Sequence, residues 1–269
     1  MILSGGTALV TGSGGGGCGR AIALRLAREG ASVVVSDINV PGGEETVRLI
    51  QASGGRAVFR LADVRREPDV RDLLAFAAGE FRPLRVLVNN ASAAFAHGHD
   101  MDRWLVTAET EFIGPVLTTR NAIEAMRNTG QGGAIVNVSS ISALWHGRRT
   151  PATAPVYDAA KAGLLRFTTG LAYLAETDRI RVNCLAPGWI ATDGPRQYWE
   201  SLTPEQRAAQ GVPSRLLTTD QIAEIVLQLA IGETLAGRVV LWWSDDEPKI
   251  IHWGDRGYRT STPFTLHFR

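Results

Sequence analysis

Short apolar runs bounded by glycine, serine and charge recur along the chain and set its rhythm. They are Thr7–Thr11, Ser32–Ser36, Ala57–Phe59, Val86–Val88, Ala134–Val138, Arg181–Leu185 and Arg238–Trp243. Each is too short for a helix and rich in Val, Ile and Leu, which predicts buried strands. Between them lie stretches with apolar positions three and four apart, the period of an amphipathic helix. These predict helices over Arg20–Gly30, Pro41–Ser53, Glu67–Phe81, Trp104–Asn128, from about Pro155 through LLRFTTGLAYLA, and Thr219–Ala230. Gly114-Pro115 marks a kink in the longest of these. Strands that alternate with helices predict a doubly wound, Rossmann-type parallel sheet in three layers, α/β/α. No linker or repeat divides the chain. Residues 1–243 read as one domain, and 244–269 as an aromatic and charged extension packed on that domain or on a neighbouring subunit.

Two of the junctions carry chemistry. The first strand opens directly into GSGGGGCG and then a helix. That strand–glycine–helix order cradles a pyrophosphate, because glycine lets the backbone approach and the helix end offers free N–H groups. Asp37 closes the second strand, near the ~20-residue offset at which a carboxylate takes the adenosine ribose hydroxyls. It would repel a 2′-phosphate, and no Arg or Lys stands beside it in the sequence, so NAD is favoured over NADP. The second junction runs from Val136-Asn137-Val138 through Ser139-Ser140 to Tyr157 and Lys161, four apart on one helix face. An ammonium beside a phenol stabilises the phenolate and should lower its pKa. With a serine hydroxyl on the same oxygen, such a group could exchange a proton with a carbinol, which is half of a hydride transfer.

Composition narrows the setting. A formal net charge of +1 over 269 residues shows no bias towards nucleic acid or an anionic membrane. Cys18 and Cys184 fit no disulfide or zinc spacing, and His97 and His99 complete no ligand set, so no metal is expected. The reading is a cytoplasmic chain with no signal peptide and no membrane span.

Taken together and in order, TGSGGGGCGRAIA, Asp37, Ala62-Asp63-Val64, Asn89–Ser92, VNVSS, YDAAK and RVNCLAPGWIAT resemble the short-chain dehydrogenases/reductases over about residues 5 to 241. The resemblance implies catalytic Ser140, Tyr157 and Lys161. It places Gly12, Gly17, Cys18, Gly19, Asp37, Ile38, Asp63, Val64, Asn90, Ala91, Tyr157, Lys161, Gly188, Ile190 and Thr192 against an NAD cofactor. It also implies an alcohol or ketone substrate and a homotetramer or homodimer. The alternatives are an NADPH-dependent carbonyl reductase of the 3-oxoacyl type and a non-redox protein on the same fold.

The chain departs from the family pattern in several places. Four residues, rather than three, separate Gly12 from Gly17; the other register pairs Gly12 with Gly16 and puts Cys18 in the third glycine place. Glu111 stands three before Gly114, where an Asn is usual, and Ser92 replaces a Gly. The loop from Ser140 to Tyr157 is long and contains Trp145, His146, Arg148 and Arg149. With Trp189, Tyr198 and Trp199 these residues suggest an apolar or ring-bearing substrate, or an anionic one held by the arginines.

Overall fold

Runs such as Ser32–Ser36 and Gly133–Val138 have no polar face because both of their faces are covered. In the computed structural model, which describes residues 5–93, 101–145 and 154–252 together with Leu3 and Gly254, strands β1 (Thr7–Thr11) and β5 (Gly133–Val138) are buried at every residue. With β2 (Ser32–Asp37), β3 (Arg56–Leu61), β4 (Leu84–Asn89), β6 (Ile180–Pro187), β7 (Val239–Trp242) and β8 (Lys249–Ile250) they form one sheet in the order β3-β2-β1-β4-β5-β6-β7-β8. All neighbouring pairs are parallel except β7 with β8.

Alternate residues of each strand enter opposite layers, as the pleat requires. Val33, Val35, Val86, Val88 and Val136 face one layer. There they meet Ile22 and Leu26 of α1 (Cys18–Arg28) and Ile222 and Val226 of α10 (Thr219–Ile231). Leu9, Val34, Leu87, Ile135 and Val182 face the other layer. They pack on Leu73 and Leu74 of α3 (Glu67–Glu80) and Ala122 and Met126 of α5 (Gly114–Thr129). A buried polar ladder crosses that second layer. Asn89 donates to Asn137 (2.8 Å) and to Thr119 (3.0 Å), Thr118 donates to Asn89 (2.6 Å), and Asn137 donates to Thr168 (2.9 Å). It ties β4 and β5 to α5 and to α6 (Pro155–Gly170), the helix that carries Tyr157 and Lys161. The strand order reverses between β1 and β4. The carboxyl ends of those strands therefore open a crevice.

One sequence expectation is revised, and two further stretches take form. The single helix over Trp104–Asn128 is divided into α4 (Trp104–Ala108), a π-helical turn over Glu109–Ile113, and α5. Pro115 has no N–H to give the Glu111 carbonyl four residues back, so the ladder widens there. The irregularity thus precedes the expected kink at Gly114-Pro115. The stretch Trp189–Ser214 contains two helices that its Pro and Trp content hid, α8 (Asp193–Glu200) and α9 (Pro204–Gln210). A capping box, Thr203 with Gln206, opens α9 and was legible in the sequence. Finally, the start of the extension after Trp243 returns to the sheet. Lys249 pairs with Leu241, and Asp245 binds Ser214 at 2.6 Å. Trp253, Tyr258, Phe264 and Phe268 lie outside the described residues.

Candidate active site

The glycine-loop end of the crevice is built from β1, the turn after it and α1. Gly12 takes φ +67°, a conformation that favours glycine, and a Cβ there would stand 2.5 Å from the Ala91 Cα. A Cβ on Gly19 would strike the Gly12 carbonyl. Gly12 and Gly19 therefore pack on one another, which matches the longer register with Gly19 in the last place. Gly15 and Gly16 face open space, and α1 has neither a side-chain cap nor an acidic residue in its first turn. An uncapped, acid-free helix start behind two unobstructed glycines suits a pyrophosphate. Cys18 opens the helix, and burial pushes its thiol up to about 11, so it stays neutral. Asn90 is a brace: its amide donates to the Thr11 carbonyl (3.1 Å) and the Gly12 carbonyl (3.0 Å). The methyl of Thr192 comes within 3.3 Å of where a Gly17 Cβ would lie, joining the loop after β6 to the glycine loop.

At the end of β2, the Asp37 carboxylate accepts from the Gly14 N–H (2.7 Å) and the Asn39 N–H (2.9 Å). The sequence shows no cation beside it, but the fold brings Arg20 to this loop. Its guanidinium binds Thr46 (3.0 Å), the Gly42 carbonyl (3.2 Å) and the Gly14 carbonyl (3.5 Å). Ile38 is exposed. Asp63 is clamped by Arg65 (2.6 Å), which holds its carboxyl below the usual range. Val64 lies against Gly114, where a Cβ would come within 2.9 Å of it. Gly188 donates to the Trp242 carbonyl (2.7 Å), and Ile190 bridges to Leu217.

Beyond β5, Ser140 opens a short 3-10 turn over Ile141–Leu144, and its hydroxyl accepts from the Ser142 N–H (3.2 Å). The Ser140 hydroxyl also counters the rise of the Tyr157 phenol. Lys161 is buried beneath Tyr157, with Nζ 5.5 Å from the phenol ring centre. Nζ donates to the Val138 carbonyl at 2.8 Å and stands 2.9 Å from Oε2 of Glu111. Lys161 acts to lower the phenol, as its spacing suggests, but it is outweighed. Burial pushes Tyr157 up, Lys161 opposes this, and Glu111 pushes up again, so the phenol lies above its ordinary value. Desolvation is the largest of these effects; Glu111, which adds to it, was visible in the sequence, but its contact with Lys161 was not.

The loops near this centre carry aromatics. Trp145 meets Trp243 edge-on at 6.3 Å, Trp189 stacks on Tyr198 at 6.0 Å, and Arg207 lies 3.4 Å over Trp199. His97, His99, His146, Arg148 and Arg149 lie outside the described residues. Among the described residues no cluster of His, Cys, Asp or Glu could hold a metal, and no helix is long and apolar enough to cross a membrane.

A doubly wound sheet with a glycine-rich turn after β1 and a Ser–Tyr–Lys group beyond β5 defines a class of nicotinamide-dependent enzymes. Residues 6–202 match the short chain dehydrogenase family, and the chain belongs to it. It is 35% identical over 237 residues to a short chain dehydrogenase/reductase of Aspergillus oryzae, covering 85% of this chain and 88% of the other. It is 37% identical over 238 residues to an L-rhamnose 1-dehydrogenase (NAD(P)(+)) of Azotobacter vinelandii, covering 86% and 91%. A crystal structure from Burkholderia xenovorans, assigned to the short-chain dehydrogenases/reductases, superimposes with a TM-score of 0.77 at 30% identity and covers 90% and 96%.

Proposed function

We propose that this oxidoreductase uses NAD to interconvert a secondary alcohol and a ketone, with Ser140, Tyr157 and Lys161 as its acid/base centre. The observation that carries the reading is the convergence of these three side chains beyond the carboxyl end of β5, with Lys161 Nζ 5.5 Å from the Tyr157 ring centre. Gly12, Gly17, Cys18, Gly19, Asp37, Ile38, Asp63, Val64, Asn90, Ala91, Gly188, Ile190 and Thr192 are proposed to seat the cofactor. Bound there, its nicotinamide would supply the hydride acceptor or donor. The chain's own task is the proton. The Ser140 hydroxyl would bond the substrate oxygen, and the Tyr157 phenol would give that oxygen its proton in reduction or remove it in oxidation. Lys161 would stabilise the phenolate and hold the nicotinamide ribose. By the same resemblance the working form is proposed to be a cytoplasmic homotetramer or homodimer.

Tyr157→Phe is expected to lower kcat by at least about 10³-fold with NADH affinity nearly unchanged, since only the proton path is lost. Lys161→Ala should lose both. Stopped-flow turnover and NADH fluorescence titration measure the two effects, and a Tyr157→Phe enzyme with near wild-type kcat would sink the assignment. A second reading, an NADPH-dependent carbonyl reductase, draws on Arg20, whose guanidinium lies at the Gly14 loop beside Asp37. Comparing NADH and NADPH affinities separates the two.

A further inference from the structure

Glu111 is completely buried, and its carboxylate is held at both ends. Oε1 accepts from the Ser92 hydroxyl at 2.6 Å and from the Ala93 N–H at 2.8 Å. Oε2 accepts no well-aligned hydrogen bond, yet Lys161 Nζ lies 2.9 Å away, with side-chain exposures of 5% for Lys161 and 0% for Glu111. This is an ion pair closed off from water, with a skewed hydrogen-bond geometry. Such a pair is not an ordinary stabilising contact, because removing either partner strands a buried charge.

We propose that Glu111 is a positioning residue: its carboxylate, anchored to Ser92 and Ala93 at the end of β4, keeps the Lys161 ammonium charged and fixed beneath Tyr157. The inference rests on the reading of Tyr157 and Lys161 given above. Three groups with titratable side chains face Nζ: Glu111 from the π-helical turn, Tyr157 from its own helix, and Cys184 from β6. Asp158 bears on Tyr157. Cys184 is pushed up to about 12 by burial and so is neutral at working pH. Burial opposes the charged ammonium, but Glu111 and then Tyr157 more than offset it and hold Lys161 above the ordinary lysine value. Glu111 is therefore the only carboxylate among these neighbours of Lys161. The π-helical turn matters because it sets where that carboxylate emerges between α4 and α5.

The chain contains only two lysines, Lys161 and Lys249. Protein labelled with ¹³C-lysine therefore gives two Cε resonances, which a Lys249→Arg variant assigns, and their pH titration reads each charge without cofactor or substrate. In the wild type Lys161 should titrate above the exposed Lys249. In Glu111→Gln the order should reverse, and the alkaline limb of kcat/KM should move to lower pH, with activity falling about tenfold per pH unit beyond it. Glu111→Asp retains a charge but withdraws it by one methylene, and it should titrate between the two. A Glu111→Gln or Glu111→Asp protein whose Lys161 titrates as in the wild type overturns the proposal. So does a uniform loss of kcat with an unmoved limb, which is what a merely structural role would give. If Tyr157→Phe kept its turnover while the lysine order still reversed, the acid/base reading would fail and the charge pairing would stand.

Discussion

Asp37 uses both of its carboxylate oxygens on backbone N–H groups, one in the glycine loop and one in its own turn. The bond to Gly14 gives it a structural role as well as a charge at the ribose end of the proposed cofactor site. Asp37→Ala should therefore do two things: loosen the glycine loop, raising KM for either cofactor, and remove repulsion of a 2′-phosphate. The ratio of kcat/KM for NAD to that for NADP is expected to fall by about tenfold, the size of a ~1.4 kcal/mol repulsion. A loss shared equally by both cofactors would leave Asp37 as a brace only. Ser92 and Glu111 teach a related lesson. Each looked like a separate departure from the family pattern, but they touch at 2.6 Å and form one arrangement.

Among the elements, α6 matters most, since it presents Tyr157 and Lys161 to β5. Apolar packing alone would let a helix rotate or slide by fractions of a turn. The Asn137–Thr168 bond at 2.9 Å, backed by Asn89, fixes its register against β5. Asn137→Ala leaves the Asn89 amide and the Thr168 hydroxyl short of partners in a dry layer. It should cost about 2–3 kcal/mol of stability, and kcat should fall as well. Chemical denaturation with turnover measured alongside tests this; a variant as stable as the wild type would mean that the ladder is incidental. The sequence showed α6 by its period, whereas the ladder joins residues 31 and 48 positions apart and has no local signature.

At the scale of the molecule, the perturbed carboxylates among the described residues are all shifted downwards. Arg65 holds Asp63 low, the Ser214 hydroxyl holds Asp245 low, and Arg127 with Thr177 holds Asp178 down to about 2. Each folded pKa lies below its unfolded value, so the stability it contributes is present above the unfolded pKa and lost as pH falls through the folded one. Tm should be nearly flat from pH 7 to about 5 and should fall below about pH 4. The fall should be modest, because these pairs are partly exposed and screened by solvent. Melting curves across that range check it, and a Tm that rises on acidification would contradict it.

Local pattern determined the class of fold, the alternation of strand and helix, the glycine turn and the Tyr-x-x-x-Lys spacing. These follow from period and backbone geometry over a few residues. What needed the tertiary structure were the contacts between distant segments: Glu111 against Lys161, Arg20 against Thr46 and the Gly42 carbonyl, and Thr192 over Gly17. The direction of the Tyr157 shift was decided there too. From the sequence the phenol has one cation four residues away. In the fold it is half-buried, and that cation is already paired with a carboxylate 50 residues earlier in the chain. Burial and charge pairing are properties of the packed molecule, and they reverse what the spacing alone suggests.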